Sequence, residues 1–223
     1  MTQRPLRRRL AILLVKVARW LHIYASMLGL ATVLFFSATG ITLNHPDWFF
    51  GDAQKTTQAE GDLDMAWLRA EAPAEGSNAG TSEEAIPADP TDQVKRLEVV
   101  EALRKQHGIG GALTDFRVDD SEIVVAFKGP GYSADAFIDR ESGRYTLSQT
   151  FHGAVAVLND LHKGRDTGPV WSVFIDVSAV LLVFISLTGL ILIFYLKLRR
   201  VPGLAIAVLG TLAVIVFYYW GVP

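Results

Sequence analysis

Three stretches of the chain are apolar almost without interruption: Leu21 to Leu43, Val170 to Leu196 and Leu204 to Trp220. About 20 such residues at ~1.5 Å each cross a hydrocarbon layer of ~30 Å, so each stretch predicts a transmembrane helix, the third being the shortest. Between the first two, the pattern breaks into short amphipathic pieces. Asp92 to His107 spaces Val94, Leu97, Val100 and Leu103 at helical intervals and ends at Gly108, which predicts an amphipathic helix with a glycine stop. Three β-branched runs follow, Thr114 to Val118, Glu122 to Lys128 and Ala134 to Asp139, divided by Asp119-Asp120-Ser121 and Gly129-Pro130-Gly131. With Arg144 to Leu147 after a further turn at Arg140 to Gly143, they predict an antiparallel meander. Ser148 to Leu161 reads as a helix with Phe151, Val155, Leu158 and Leu161 on one face. Gly168-Pro169 predicts a break before the second span.

The remaining segment, Gly51 to Thr91, is rich in Ala, Glu, Gly, Ser, Asp and Pro, and its second half from Glu71 to Pro90 cannot bury a core. It reads as a flexible linker preceded by a short helix at Asp62 to Ala70. The expected fold is therefore membrane α-helical, with three transmembrane helices and a small α+β domain inserted between helices 1 and 2. The expected divisions are 1–47 (basic N-terminus and first span), 48–91 (linker), 92–167 (outer domain and pre-membrane helix) and 168–223 (second and third spans).

Charge supplies an orientation. Arg4, Arg7, Arg8, Arg9, Lys16 and Arg19 precede the first span, and Lys197, Arg199 and Arg200 lie between the second and third. Both clusters belong on the cytoplasmic side, which puts residues 44–167 on the opposite side of the membrane. Residues 44–166 hold 22 acidic and 12 basic side chains, a net of −10 hidden in a near-neutral total. The sole basic cluster belongs to the membrane anchor, which argues against nucleic acid as a partner. The first apolar run is full length and lacks a clear small-x-small cleavage site, so it reads as an uncleaved span rather than a signal peptide. With no cysteine in the sequence, metal chemistry falls to histidine and carboxylates.

Four of the five histidines, His22, His45, His152 and His162, lie at the ends of the first two spans or on the approach to them. That placement suits haem or metal ligation in a bilayer. His22 and His45 are ~34 Å apart along a continuous helix, so they cannot share an iron. His45 and His162 reach the same outer layer, where a bis-histidine haem site would fit, with Lys163 and Arg165 positioned to pair with propionates. His152 is a reserve ligand. His22 has no inner histidine partner and would hold a second haem only with a ligand from another subunit, or alone, so one haem b is expected more readily than two.

Each span also carries a Thr-Gly pair, Thr39-Gly40 and Thr188-Gly189, so "Leu-His, apolar span, Thr-Gly" occurs twice. Each pair falls near the level of the other span's histidine, where glycine lets a helix or a flat macrocycle approach closely; ordinary small-residue helix packing accounts for the pairs equally well. Asp176, about two turns into the second span, could pair with a histidine, relay protons or bond hydroxyls of the first span. His107 is expected exposed at a helix C-terminus, and Trp20, Trp48, Trp171 and Trp220 in interfacial belts. No nucleophile–base pair or paired catalytic carboxylates stand out.

Leu21-His22 with Gly29-Leu30, Phe36 with Thr39-Gly40 and Asn44-His45-Pro46, Asp160-Leu161-His162 with Arg165, and Ile175-Asp176 with Thr188-Gly189-Leu190 together resemble the PepSY-associated transmembrane proteins, closest to their compact three-helix branch. The helix and meander at Asp92 to Thr146 resemble a PepSY module. The larger four-helix branch includes ferric-siderophore reductases that bind b-type haem. The resemblance thus implies electron transfer to a periplasmic acceptor, a ferric chelate or a flavoprotein, with ligand roles at His22, His45 and His162, and His152 in reserve. With one helix fewer and no inner partner for His22, a full haem relay in a monomer does not follow. The competing expectations are a membrane-anchored interaction or regulatory module without redox activity, and an accessory subunit of a larger membrane complex or homo-oligomer.

Overall fold

A computed structural model of the chain describes residues 6–49, 53–68 and 94–223. The linker expected at Glu71 to Pro90 lies outside the described residues, as does Arg4. The chain divides into two compact units, Met1–Ser37 with Val173–Pro223, and Ala38–Ser172.

Three long apolar helices supply the first unit: α1 (Leu6–Asn44), α5 (Gly168–Tyr195) and α6 (Arg200–Gly221). Each is long and apolar enough to cross a membrane, over Leu10–Asn44, Gly168–Tyr195 and Arg200–Gly221. The first helix begins well before Leu21 because Arg, Leu, Ala and Lys favour helix and nothing from Leu6 onward breaks it. Within this unit α1 and α5 meet along a stripe of small residues. A methyl group added at Gly29 would come within 2.8 Å of Ile185 Cδ1 and 3.4 Å of Leu181 Cδ2, so the absence of a side chain permits the approach. Gly203 does the same for α6, lying against Ile193.

The second unit contains a five-stranded antiparallel sheet in the order β1-β5-β4-β3-β2. Its strands are β1 (Lys55–Asp62), β2 (Ala112–Val118), β3 (Glu122–Gly129), β4 (Tyr132–Asp139) and β5 (Arg144–Phe151). Two short helices, α2 (Met65–Leu68) and α3 (Arg96–His107), separate β1 from the rest. The sheet is assembled from two parts of the chain: β1 follows α1, and four strands come after α3. The 48–91 linker is corrected at the same point, since Lys55–Asp62 pairs with β5 along its whole length. Its sequence, Lys-Thr-Thr-Gln-Ala-Glu-Gly-Asp, has no apolar alternation because it is an edge strand with mostly exposed side chains.

One face of the sheet is covered by α3. Val99, Val100 and Leu103 pack with Ile123, Val125, Phe127, Ile138, Tyr145 and Leu147 in a single core closed at one end by Leu63 and Leu68. Burying each such side chain is worth roughly 1.5–3 kcal/mol. The helix stops where the sequence predicts, at Gly108 with φ +63°, whose N–H donates to Arg104 O at 2.9 Å. His107 is half-buried rather than exposed, its Nε2 2.7 Å from the Tyr145 hydroxyl.

The helix expected from Ser148 to Leu161 is two elements. Residues 144–151 continue the sheet as β5, and α4 runs over Ala154–Lys163 after Gly153 at φ +87°. The alternating Tyr145, Leu147 pattern extends the strand, and glycine makes the bend. The β3–β4 hairpin docks on α4, where Gly131 N–H donates to Asp160 Oδ2 at 2.8 Å and a methyl group at Gly131 would strike Val157.

Candidate functional site

The two Thr-Gly pairs and the two span histidines meet reciprocally. In the helix unit, α1 presents His22 to Thr188 and Gly189 of α5; in the sheet-containing unit, α4 presents His162 to Thr39 and Gly40 at the end of α1. His22 Nδ1 is 2.9 Å from Thr188 Oγ1, and His162 Nδ1 is 2.7 Å from Thr39 Oγ1. Both hydroxyls are buried, at 7 % and 3 % exposure, so each needs a partner inside the protein.

The Thr188 hydroxyl lies 2.9 Å from Phe184 O and from Ile185 O as well as from His22 Nδ1. With its one proton donated to the helix backbone, its oxygen would accept from His22 Nδ1–H and the ring's lone pair would be on Nε2. That is the state an imidazole adopts when Nε2 binds a metal and Nδ1 is oriented by a neighbour.

The glycines serve the imidazoles. A methyl group on Gly189 would lie 3.2 Å from His22 Cε1, and one on Gly40 would lie 3.5 Å from His162 Cε1. The edge of a histidine ring thus faces each glycine. Around His162 the hold is extended by residues the sequence did not single out. The Thr42 hydroxyl lies 2.9 Å from both Thr39 O and Asn159 Oδ1, and Trp171 Nε1–H donates to Leu161 O at 2.8 Å. Single Thr, Asn and Trp residues carry no pattern of their own, whereas the repeated Thr-Gly does.

The other candidates make different contacts. His45 closes the end of α1, its N–H donating to Ile41 O, its ring stacked 3.7 Å from Trp48 and its Nε2 accepting from the Asn44 amide at 3.1 Å. Trp48 thereby serves as a platform for a histidine. Its neighbours Pro46–Phe49 form a short 3₁₀ turn that sets this spacing. His152 precedes α4 and is tied through its N–H to Gly131 O at 2.8 Å. Arg165 and Lys163 are exposed and form no ion pair among the described residues. Asp176 is exposed on α5 with no polar partner among the described residues, so it pairs with neither a histidine nor a hydroxyl of α1.

A haem iron would be held through Nε2 at His22 or His162, since in both rings Nδ1 is engaged by a threonine hydroxyl. At His45 the fit is poorer, because Nε2 would first give up Asn44. Among the described residues no group of three or more His, Asp or Glu side chains could hold a bare metal ion.

No curated protein and no solved structure matches the chain. A family model described as PepSY_TM-like matches residues 15–223, which takes in both histidine–threonine pairs, the whole described sheet and all three apolar helices except the start of the first. With a match across nearly its full length and three helices of membrane-spanning length, the chain is a membrane protein that belongs to the PepSY_TM-like family.

Proposed function

We propose that this protein is a b-type haem protein of the bacterial inner membrane that passes electrons to a periplasmic acceptor, a ferric chelate or a flavoprotein. The observation that carries the reading is the imidazole of His22, held through Nδ1 by the Thr188 hydroxyl, with its counterpart at His162 and Thr39. Bound haem would supply reversible one-electron transfer at a potential set by its axial ligands and burial. The residues of the chain do the positioning. His22 and His162 would ligate through Nε2, Thr188 and Thr39 hold the rings through Nδ1, and Lys163 and Arg165 would pair with the haem propionates. The positive-inside rule supports placing the basic residues Lys16, Arg19, Lys197, Arg199 and Arg200 in the cytoplasm and the sheet in the periplasm. One haem b per chain remains the expectation; a second, at His22, would need a ligand from another subunit or would have His22 as its single axial ligand.

His22→Ala and His162→Ala test this separately. Protein expressed with added haem should show a Soret band that sharpens and shifts on dithionite reduction, and the variant lacking the ligand should lose it. Wild-type protein without a Soret band would overturn the reading.

A second reading, a membrane-anchored interaction module, rests on the uncovered face of the sheet. Phe137 is 47 % exposed there, between two hollows edged by Glu60, Glu122 and Asp139. If this face is the working part, Phe137→Asp abolishes function in cells while His22→Ala and His162→Ala leave it intact.

A further inference from the structure

The helix unit carries a concentration of uncompensated charge at one end. Lys16 and Arg19 on α1, and Lys197 and Arg199 in the loop after α5, form no ion pair among the described residues. The one carboxylate within α1, α5 and α6 is Asp176, 19 residues before Tyr195 on α5 and so ~28 Å from it along the axis. No acidic side chain of these helices can neutralise the cluster.

The cations border two hollows that share Tyr195. One, of about 400 Å³, is lined by Ala11, Ile12, Val15, Lys16, Arg19 and Tyr195. The other, of about 530 Å³, is lined by Leu196, Lys197, Leu198 and Arg199 with Tyr195. Lys16 and Arg19 stand three residues apart and so side by side on one face of α1. Long basic stems of this kind can cover apolar surface while the charged heads stay in the polar layer, and here both line the hollow with Ala11, Ile12 and Val15. The hollow opens where α5 ends at Tyr195 while α1 runs on to Leu6, which leaves this face of α1 bare.

We infer that this basic end binds the headgroup of an anionic phospholipid. The phosphate answers the four cations, and the Tyr195 hydroxyl can donate to it as well. A free anion would match the charge but cover none of the apolar lining, Ala11, Ile12, Val15, Leu196 and Leu198, the last 95 % exposed. A lipid covers them with its glycerol and upper acyl chain, and a lipid is the solvent at the end of a membrane-length helix. Basic pockets between transmembrane helices recognise anionic headgroups in this way.

Native mass spectrometry of the full-length protein released from bilayers of phosphatidylglycerol and phosphatidylcholine in equal amounts tests the site. Wild-type protein should retain phosphatidylglycerol selectively. The Lys16→Gln/Arg19→Gln variant should lose roughly fivefold in retention per charge removed, the size expected at about 1 kcal/mol per basic residue. The Lys16→Arg/Arg19→Lys exchange should retain the lipid. If Lys16→Gln/Arg19→Gln folds poorly, Lys197→Gln/Arg199→Gln, in an exposed loop, should show the same loss. Equal retention of the two lipids, or neutral variants that behave as wild type, would overturn the proposal. Displacement of the lipid by millimolar inorganic phosphate would also overturn it, by identifying a site for a free anion.

Discussion

At the residue scale, Thr188 decides what His22 can do. Replacing it with valine keeps the shape but removes the hydroxyl that faces His22 Nδ1, leaving that half-buried nitrogen without its partner. Hydrogen bonds between membrane helices are worth ~0.6 kcal/mol on average and up to ~1.7, so Thr188→Val should lower stability within that range in a detergent-denaturation titration. A variant as stable as wild type would show that the contact is incidental. The Asp139 carboxylate gives a pH-dependent test in the sheet. It caps the β4–β5 turn by accepting from Ser142 N–H at 2.7 Å, Ser142 Oγ–H at 2.8 Å and Glu141 N–H at 3.0 Å. These bonds, led by the Ser142 backbone, favour the charged form and hold its carboxyl below the usual range. A depressed value means the stabilisation is present above the unfolded carboxylate value of about 4 and is lost as pH falls through the folded one. Asp139→Asn should therefore melt earlier than wild type at pH 7, with the two melting temperatures converging in acid. Histidines and Thr-Gly pairs were legible at this scale because their spacing repeats. The His45–Trp48 stack was not, because it depends on the 3₁₀ turn after Pro46, which spacing alone does not reveal.

At the scale of elements, the glycines separate two contacts that look equivalent in sequence. A Cβ at Gly189 meets His22 Cε1 at 3.2 Å, tighter than ordinary contact, whereas one at Gly40 meets His162 Cε1 at 3.5 Å, an ordinary van der Waals distance. Gly189→Ala should thus destabilise the protein more than Gly40→Ala in the same denaturation assay. Equal effects would mean that the ring at Gly189 moves aside freely. The long helices, the stop of α3 at Gly108 and strands β2 to β4 follow from local pattern: apolar length, helical spacing, and β-branched runs between turns. Strand β1 does not, since Lys55–Asp62 owes its conformation to β5. There Gly61 faces Tyr145, whose ring covers it so closely that a methyl group would strike the hydroxyl. An aromatic ring over an edge glycine supplies the packing the glycine lacks. The border between β5 and α4 was hidden for a related reason: Phe151, Val155 and Leu158 satisfy a helical period that Gly153 interrupts.

At the scale of the molecule, the near-neutral total charge conceals a basic membrane anchor and an acidic domain with a Phe137-centred open face. Three helices of membrane length and a five-stranded sheet fit the family to which the chain belongs. The central claim is that its oriented histidines are haem ligands rather than clasps between helices. The haem-to-protein ratio of the purified full-length protein, taken from its reduced-minus-oxidised spectrum after expression with added haem, tests this most directly. The ratio should be near one for wild type and near zero for the His22→Ala/His162→Ala double variant. A ratio near zero in wild type, or one unchanged in the double variant, would contradict it.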